Sequence, residues 1–349
     1  MNKTIVILTP GFPADELDSP CIPALQDYVL CLQKTFPSVR IVVLAFQYPY
    51  VRGYYTWNKI DVFSASGKNK KFFYRIRTWK RILAELKKIH RDFGIDILHS
   101  FWLGEATFIA QRFAKGKNIK HIATLFGQDA LPSNKYLRIL KYNTMSVVAN
   151  SEFTDRTFFD ATHRNANRVI HFGLNPELLG ATEEVKRSYD IIGVGSFTKL
   201  KNYELFVKII SELVHDFPDV KAMIIGNGEM RSLLTEQIHS YKLENTIELK
   251  GIIPRQEVMH HMKQSKIFLH TSSYESAGTV FPESLSCGCE LVCFNTGFIP
   301  TSDKSHVCKD SNEMIRVLKS LLSRSPNYSS VKVPLIKETV QEFASLYEI

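Results

Sequence analysis

The chain has 349 residues, which is longer than one hydrophobic core usually supports, so we expect two domains. Its hydrophobic content of 44%, its charged content of 23% and its six cysteines without Cys-x-x-Cys spacing are typical of an ordinary cytoplasmic protein. They argue against a disulfide framework and a zinc site. The formal net charge is +9.

The first half alternates short apolar runs with amphipathic ones, which predicts an α/β domain. The predicted strands are residues 3–8, 40–46, 95–99, 120–125 and 146–150, and residues 48–57 are predicted to be a loop. The first apolar run is too short for a signal peptide or a membrane span. Because ligands of open α/β sheets lie beyond the carboxyl ends of strands, we expect His99 and Asp129 to face a cleft. For His99 we favour a structural role at the strand end.

A basic segment runs from Lys68 to Arg91. It contains ten basic residues and one acid, Glu85, so its formal charge of +9 equals the net charge of the whole chain. Apolar side chains recur within this segment at helical intervals, at positions 72, 73, 76, 79, 82, 83, 86 and 89. An apolar stripe with a cationic back suits a helix lying on an anionic membrane. It equally suits a surface helix of an α/β domain. We favour a core role for the stripe and keep peripheral membrane contact through 68–91 as the alternative.

The second half repeats the alternation after a polar linker at residues 182–188. A predicted strand at 189–193 leads into a polar loop at 195–202, and an amphipathic helix follows at 203–214. A further strand at 221–225 ends in Gly226-Asn227-Gly228. The restart of the pattern indicates a second α/β domain.

Residues 271–288 are the most informative stretch, because they join a predicted strand to a predicted helix at 281–286. Pro282 suits the first turn of that helix, which leaves unpaired N–H groups that can bind an anion. These groups belong to Gly278, Thr279 and Val280. Glu275 and Glu283 flank them and would repel a bare phosphate. A nucleotide sugar, with phosphate in the middle and hydroxyls at both ends, fits this layout.

Seven residues separate Glu275 from Glu283, Gly278 lies between them, and Cys287-Gly288 turns the chain into an apolar strand at 290–294. In these features the sequence resembles the retaining glycosyltransferases of family 4, whose signature is Glu, seven residues, Glu. Ser276-Ala277 replaces the Gly-Phe pair that usually follows the first glutamate. The resemblance covers the second half well and the first half mainly in strand order.

This resemblance implies the α/β fold called GT-B, in which two doubly wound Rossmann-like domains face each other across a cleft. Residues 1–175 would form the acceptor-side domain and residues 176–330 the nucleotide-sugar domain. A C-terminal helix within 331–349 would cross back toward the first domain.

The resemblance also implies further contacts with the donor. Gly11 would lie in a loop near the donor phosphates, and Lys201 would clamp the diphosphate. Ser196 stands where the family usually has arginine, Ile252 lies at the edge where the nucleotide base rests, and Phe126 replaces a histidine near the transferred sugar.

The expected chemistry follows from the same resemblance. Glu283 would bind ribose hydroxyls and Glu275 hydroxyls of the transferred sugar, while Lys201 and the amides of 278–280 would stabilise the departing diphosphate. The product would keep the donor's anomeric configuration, and Asp129 is only a candidate for a base. The sequence contains no Asp-x-Asp metal-binding motif, so we expect neither a bound metal nor a cofactor.

We therefore expect a peripheral or cytoplasmic glycosyltransferase that moves a hexose-type sugar from a UDP- or GDP-linked donor to a glycan or lipid-linked acceptor. Two alternatives are a noncatalytic nucleotide-sugar-binding homologue, suggested by Phe126 and Ser196, and a nucleotide-sugar epimerase. A nucleic-acid-binding protein is disfavoured because the sequence contains no recognisable nucleic-acid module.

Overall fold

The computed structural model describes residues 3–71, 73–180, 185–324 and 327–349. The chain divides into two compact units, one comprising residues 1–172 and 336–349 and the other residues 173–335. The expected boundary followed residue 175. Two parts of the sequence predictions lie outside the described residues, namely positions 182–184 of the linker and position 72 of the apolar stripe.

The first unit is built on a sheet that is parallel except at one edge. Its described strands are β1 (Thr4–Gly11), β2 (Arg40–Tyr48), β3 (Gly53–Trp57), β4 (Ile60–Ser64), β5 (Ile97–Phe101), β6 (Lys120–Leu125), β7 (Ser146–Ala149) and β8 (Arg168–Val169). They are ordered β3-β4-β2-β1-β5-β6-β7-β8, and β3 pairs with β4 in the antiparallel sense.

Helices cover both faces of this sheet. They are α1 (Pro23–Thr35), α2 (Phe73–Phe93), α3 (Glu105–Ala114), α4 (Glu152–Thr162) and the last helix of the chain, Ile336–Tyr347. Successive side chains of a strand point to opposite faces. Accordingly Ile5 and Ile7 pack into a cluster with α1 and the last helix, whereas Val6 and Leu8 pack into a cluster with α2 and α3.

The second unit is built on a parallel sheet. Its described strands are β9 (Tyr189–Val194), β10 (Ala222–Ile225), β11 (Ile247–Gly251), β12 (Ser265–His270), β13 (Glu290–Phe294) and β14 (Ser305–Cys308). Its helices are α5 (Tyr203–Leu213), α6 (Arg231–Ser240), α7 (Arg255–Lys263), α8 (Val280–Ser286) and α9 (Ser311–Leu322), so the last helix of the chain is α10.

The strand order of the second sheet, β11-β10-β9-β12-β13-β14, is that of the Rossmann fold. Two clusters of buried apolar residues lie on its two faces; one contains Ile191 and Ile267, and the other contains Ile192 and Phe268. The prediction of two doubly wound α/β units is therefore confirmed.

The loop predicted at residues 48–57 is wrong over its second half. Residues 53–57 form edge strand β3, which the turn at Asn58-Lys59 joins to β4, and both turn residues have positive φ angles of 45° and 66°. Such a two-residue turn matches the twist of a hairpin. The sequence of this strand is rich in aromatic residues but lacks the regular alternation of apolar and polar residues that predicts a strand.

The stripe predicted on α2 is buried only along its later turns, at Ile82, Leu86 and Ile89. Phe73 and Ile76, near the start of the helix, are exposed. The preference for a core role is thus confirmed for one part of the stripe and wrong for the other. In the described parts of the chain, every helix is too short or too polar to cross a bilayer.

Candidate functional site

The candidate site lies in the second unit, at the carboxyl ends of β9 and β12. These two strands are neighbours, and the chain winds away from them in opposite directions, so their ends flank the topological switch point of the sheet. The loop after β9 carries Lys201, and the loop after β12 carries Glu275. Ligands of open α/β sheets bind at such a point.

Glu275 and Lys201, which the sequence analysis assigned to one site, are in direct contact. The carboxylate oxygen Oε1 of Glu275 accepts a hydrogen bond from Lys201 Nζ and another, 2.7 Å long, from His270 Nε2. Burial raises the pKa of Glu275, but the His270 hydrogen bond and the Lys201 charge outweigh it and lower the pKa to about 2. Glu275 is therefore an anion at neutral pH.

His270 is a site residue that the sequence analysis did not identify. Its side chain is 3% exposed, and burial lowers its pKa despite the hydrogen bond to Glu275. The imidazole is therefore neutral near pH 7 and donates its Nε2 proton to the carboxylate. Its place as the last residue of β12, five positions before Glu275, is the signal that could have found it.

Glu283 lies in α8 and pairs with a second residue that sequence reasoning missed. Its Oε1 accepts a 2.7 Å hydrogen bond from Nη2 of Arg255, the first residue of α7. Within the described chain, Oε2 of Glu283 and Oε2 of Glu275 accept no hydrogen bond from the protein. Each glutamate is thus held by the protein through its Oε1 oxygen.

The N–H groups between the two glutamates have the predicted arrangement. Helix α8 begins at Val280 without a side-chain cap, and the N–H groups of Gly278, Thr279 and Val280 donate no hydrogen bond to any described residue. Gly278 has a φ of 64°, and a side chain there would meet the Phe281 ring at 2.8 Å. Glycine therefore permits the turn that presents these amides to an anion.

Close packing between loops positions Lys201. A side chain at Gly226 would stand 1.9 Å from the Gly195 carbonyl oxygen, so the loops after β9 and β10 touch only because Gly226 has none. Thr271 Oγ1 donates to the carbonyls of Lys201 and Asn202 at 3.1 and 2.9 Å. The loop that bears Lys201 is therefore fastened to the loop that leads to Glu275.

Two other predicted donor contacts lie at the same edge of the second sheet. Ser196 is exposed in the loop after β9, and Ile252, which is 67% exposed, follows the end of β11. Their roles toward a ligand stay predictions.

The predicted residues of the first unit occupy the carboxyl end of its own sheet. Gly11 is buried at the end of β1. The carboxylate of Asp129 accepts N–H hydrogen bonds from Leu103 at 2.7 Å, Gly127 at 2.7 Å and Phe126 at 3.2 Å. These bonds join two loops and occupy both carboxylate oxygens. They give Asp129 a structural role, while its role as a base stays a prediction.

His99 and Phe126 both belong to the core of the first unit. His99 is fully buried and hydrogen-bonds Tyr347 and, at 2.7 Å, Thr124 Oγ1. Phe126 packs edge-on against Phe172, with ring centroids 4.7 Å apart. The structural role favoured for His99 agrees with this burial.

Comparison with known proteins finds a family match in the second unit. Residues 176–325 match the family described as glycosyl transferases group 1. The second unit, residues 173–335, is therefore similar in sequence to group 1 glycosyl transferases over most of its length. The resemblance to glycosyltransferases of family 4 is confirmed at this level, while retention of the anomeric configuration stays a prediction.

Individual proteins related to this chain extend the match beyond the second unit. The chain is 31% identical over 147 residues to a human component of phosphatidylinositol N-acetylglucosaminyltransferase, covering 38% of this chain and 30% of the relative. It is 22% identical over 290 residues to the GPI3 component of the same enzyme from Saccharomyces cerevisiae strain YJM789, covering 72% of this chain and 64% of the relative. The chain thus spans less than two thirds of the length of either relative.

A solved structure supports the fold along the whole chain. Anabaena Alr3699/HepE in complex with UDP-glucose superposes with a TM-score of 0.71 at 17% identity, over 99% of this chain and 95% of that protein. The GT-B fold expected from the sequence is confirmed.

Proposed function

We propose that this chain is a retaining, metal-independent glycosyltransferase that takes a hexose-type sugar from a nucleotide sugar and passes it to a lipid-linked or glycan acceptor. One observation carries the proposal: Glu275 and Glu283 are each held through Oε1 by a cation. Among the described residues, their Oε2 atoms and the amides between them in sequence have no hydrogen-bond partner. The two carboxylates can accept hydrogen bonds from hydroxyl groups, and the amides at the start of α8 can bind an anion. Together they complement a sugar, a diphosphate and a ribose.

The roles of the individual residues follow from this complementarity. Glu283 accepts hydrogen bonds from the ribose, and Glu275 accepts them from the transferred sugar. When the bond between the anomeric carbon and the diphosphate breaks, Lys201 and the amides of residues 278–280 stabilise the charge on the leaving group. The acceptor oxygen bonds to the anomeric carbon and loses its proton to the departing phosphate, so no side chain is assigned as a general base.

Similar proteins narrow the choice of substrates. A structural neighbour binds UDP-glucose, and two relatives are named for N-acetylglucosaminyl transfer to phosphatidylinositol. We therefore propose a UDP-sugar as the donor and a lipid-linked acceptor as the first class to examine. Such an acceptor would place the chain at a membrane surface, in contact with other proteins or alone.

The decisive experiment measures thermal stabilisation of the chain by a panel of UDP-sugars and GDP-sugars, followed by product analysis with the stabilising donor. A shift by one donor class, and sugar transfer that survives EDTA, are expected. The absence of any shift would contradict the site, and loss of transfer with EDTA would contradict metal independence.

The same experiment examines a second function, noncatalytic binding, which is favoured by the exposed Ser196 at the usual arginine position. Donor stabilisation without transfer to any acceptor would support it. Conversion of the donor to an epimer without an acceptor would instead indicate an epimerase.

A further inference from the structure

A second surface of the molecule combines basic residues with exposed apolar side chains. It lies in the first unit and comprises residues 66–71 and the first half of α2, residues 73–81; we call it the basic patch. Three large side chains at the start of this helix are turned toward solvent. Phe73, Tyr74 and Ile76 are 81%, 56% and 46% exposed.

A cationic concavity of about 220 Å³ adjoins these side chains. Four basic residues line it, together with small and hydroxyl-bearing residues: Lys68, Lys70, Arg77 and Arg81, with Ser66, Gly67, Tyr74 and Thr78. The described lining residues include no acid. A concavity with this lining attracts an anion that has several oxygen acceptors, such as a phosphate.

The positive charges of the concavity are not compensated by the protein. Within the described chain, the side chains of Lys68 and Arg77 make no ion pair, and Lys70 lies over the Tyr74 ring at 4.7 Å. Arg81 donates a 3.0 Å hydrogen bond to the Ala65 carbonyl. Burial and the nearby charges of Arg52 and Arg77 lower the pKa of its guanidinium.

The loop that forms one wall is held in place by backbone contacts. The N–H groups of Gly67 and Lys68 donate to the carbonyls of Phe46 and Gln47, and Asn69 N–H donates to Gln47 Oε1 at 2.8 Å. A side chain at Gly67 would stand 2.3 Å from that same Oε1. The concavity is therefore fixed by the fold and does not need to be assembled by a ligand.

We propose that the basic patch is a membrane-docking surface, in which the concavity binds the phosphate of an anionic phospholipid and Phe73 and Ile76 enter the interfacial layer. Anionic lipid supplies both the negative charge and the apolar environment that the exposed side chains lack, whereas a nucleic-acid duplex presents mainly charge. The inference rests on the lipid-linked acceptor of the proposed function and names the surface that brings the chain to it.

Co-sedimentation of the full chain with vesicles tests this surface, without any sugar donor or acceptor. We compare phosphatidylcholine vesicles with vesicles that also contain phosphatidylserine. The expected result is binding to the mixed vesicles alone, and this binding should weaken as salt is raised. Because donor stabilisation is measured separately, failure here and failure of the proposed function give different results.

Two double variants separate the charged and apolar contributions. K70Q/R77Q should lower vesicle partitioning roughly 25-fold, since each cation near an anionic surface contributes roughly fivefold. F73S/I76S keeps the charge and should also lower partitioning. The matched control K115Q/K141Q removes the same charge from exposed lysines of the same unit, outside the patch, and should change partitioning by roughly twofold at most.

Four results would overturn the proposal. They are unchanged partitioning of K70Q/R77Q with native thermal stability, equal binding to uncharged vesicles, stabilisation by inorganic phosphate without vesicle binding, and binding to double-stranded RNA without vesicle binding. The last two would assign the concavity to a soluble anion and to a nucleic acid, respectively.

Discussion

Lys201 shows how one side chain can serve both the empty and the loaded site. In the free chain its ammonium group pairs with Glu275, which is 11% exposed and would otherwise be a buried carboxylate without a cation. Its flexible stem and strong charge also suit the diphosphate of a donor. Under the proposed function, the donor diphosphate and the Glu275 carboxylate would compete for the Lys201 ammonium group.

Substitution of Lys201 by alanine should lower the turnover number roughly tenfold to a few hundredfold, because one charged contact to the leaving group contributes roughly 1.5–3 kcal/mol. Steady-state kinetics with the identified donor measures this change. Lys199→Ala is the control, since Lys199 lies exposed in the same loop without an ion pair in the described chain. Wild-type turnover of Lys201→Ala would rule out the assigned role.

Glu283→Ala should weaken donor affinity roughly tenfold or more, because the lost contact is a hydrogen bond to a charged acceptor. Titration calorimetry with the donor measures the dissociation constant. Glu257→Ala removes an exposed carboxylate from α7, the helix that carries Arg255, and should leave affinity unchanged. Equal affinities of the two variants would show that Glu283 does not contact the nucleotide.

His270→Ala should change the pH dependence of donor binding more than its strength at neutral pH. In the native chain the pKa of Glu275 is lowered to about 2, so this carboxylate stays ionised throughout mildly acidic conditions. Without the His270 hydrogen bond that pKa rises, and donor affinity should begin to fall at a higher pH as Glu275 gains a proton. A pH profile of the dissociation constant that is the same for both proteins would limit His270 to packing.

At the scale of elements, glycine contacts between loops decide whether the site residues meet. Gly226→Ala should lower both thermal stability and donor affinity, since its Cβ would overlap the Gly195 carbonyl and push the Lys201 loop away. Gly104→Ala is the matched control, because open space surrounds that position and its φ is negative. Calorimetric unfolding of both variants, with and without donor, measures the effect. Equal behaviour would show that the loops adjust independently.

The elements also show what the sequence could and could not predict. The loop and helix from Glu275 to Glu283 were predictable because their signals are local: an apolar strand, a glycine, a proline and two fixed glutamates. Arg255 was not, since its contact with Glu283 joins positions 28 residues apart that α7 and α8 bring together only in the fold. Asp129 was placed correctly at a strand end, but the backbone groups that occupy its carboxylate could not be seen in the sequence.

At the scale of the whole molecule, buried polar groups in the core make stability depend on pH. The core of the first unit encloses two histidines on neighbouring strands, His99 on β5 and His121 on β6. Burial lowers the pKa of His99 well below its ordinary value and that of His121 to about 3. Both are neutral in the folded chain, and His121 Nε2 lies 2.9 Å from Ser100 Oγ.

The sign of the resulting pH dependence is fixed by these pKa values. Because the folded-state pKa of His121 is below the unfolded value of about 6.5, the unfolded chain binds more protons below that pH. The stabilisation by a neutral His121 is therefore complete above about pH 6.5 and is lost progressively as the pH falls toward about 3. At pH 5 the loss is about 2 kcal/mol for His121.

Urea unfolding of the full chain at pH 7 and pH 5 measures this loss directly. The wild type should lose at least about 2 kcal/mol of unfolding free energy between these conditions. His121→Gln should lose about 2 kcal/mol less than the wild type, independently of its stability at pH 7. His215→Gln removes an exposed histidine and should match the wild type. The carboxylate of Glu275 stays ionised in the folded chain at both pH values, and since its unfolded pKa lies below 5 it adds little to the difference. An equal loss in wild type and His121→Gln would show that His121 accepts its proton before the first unit unfolds.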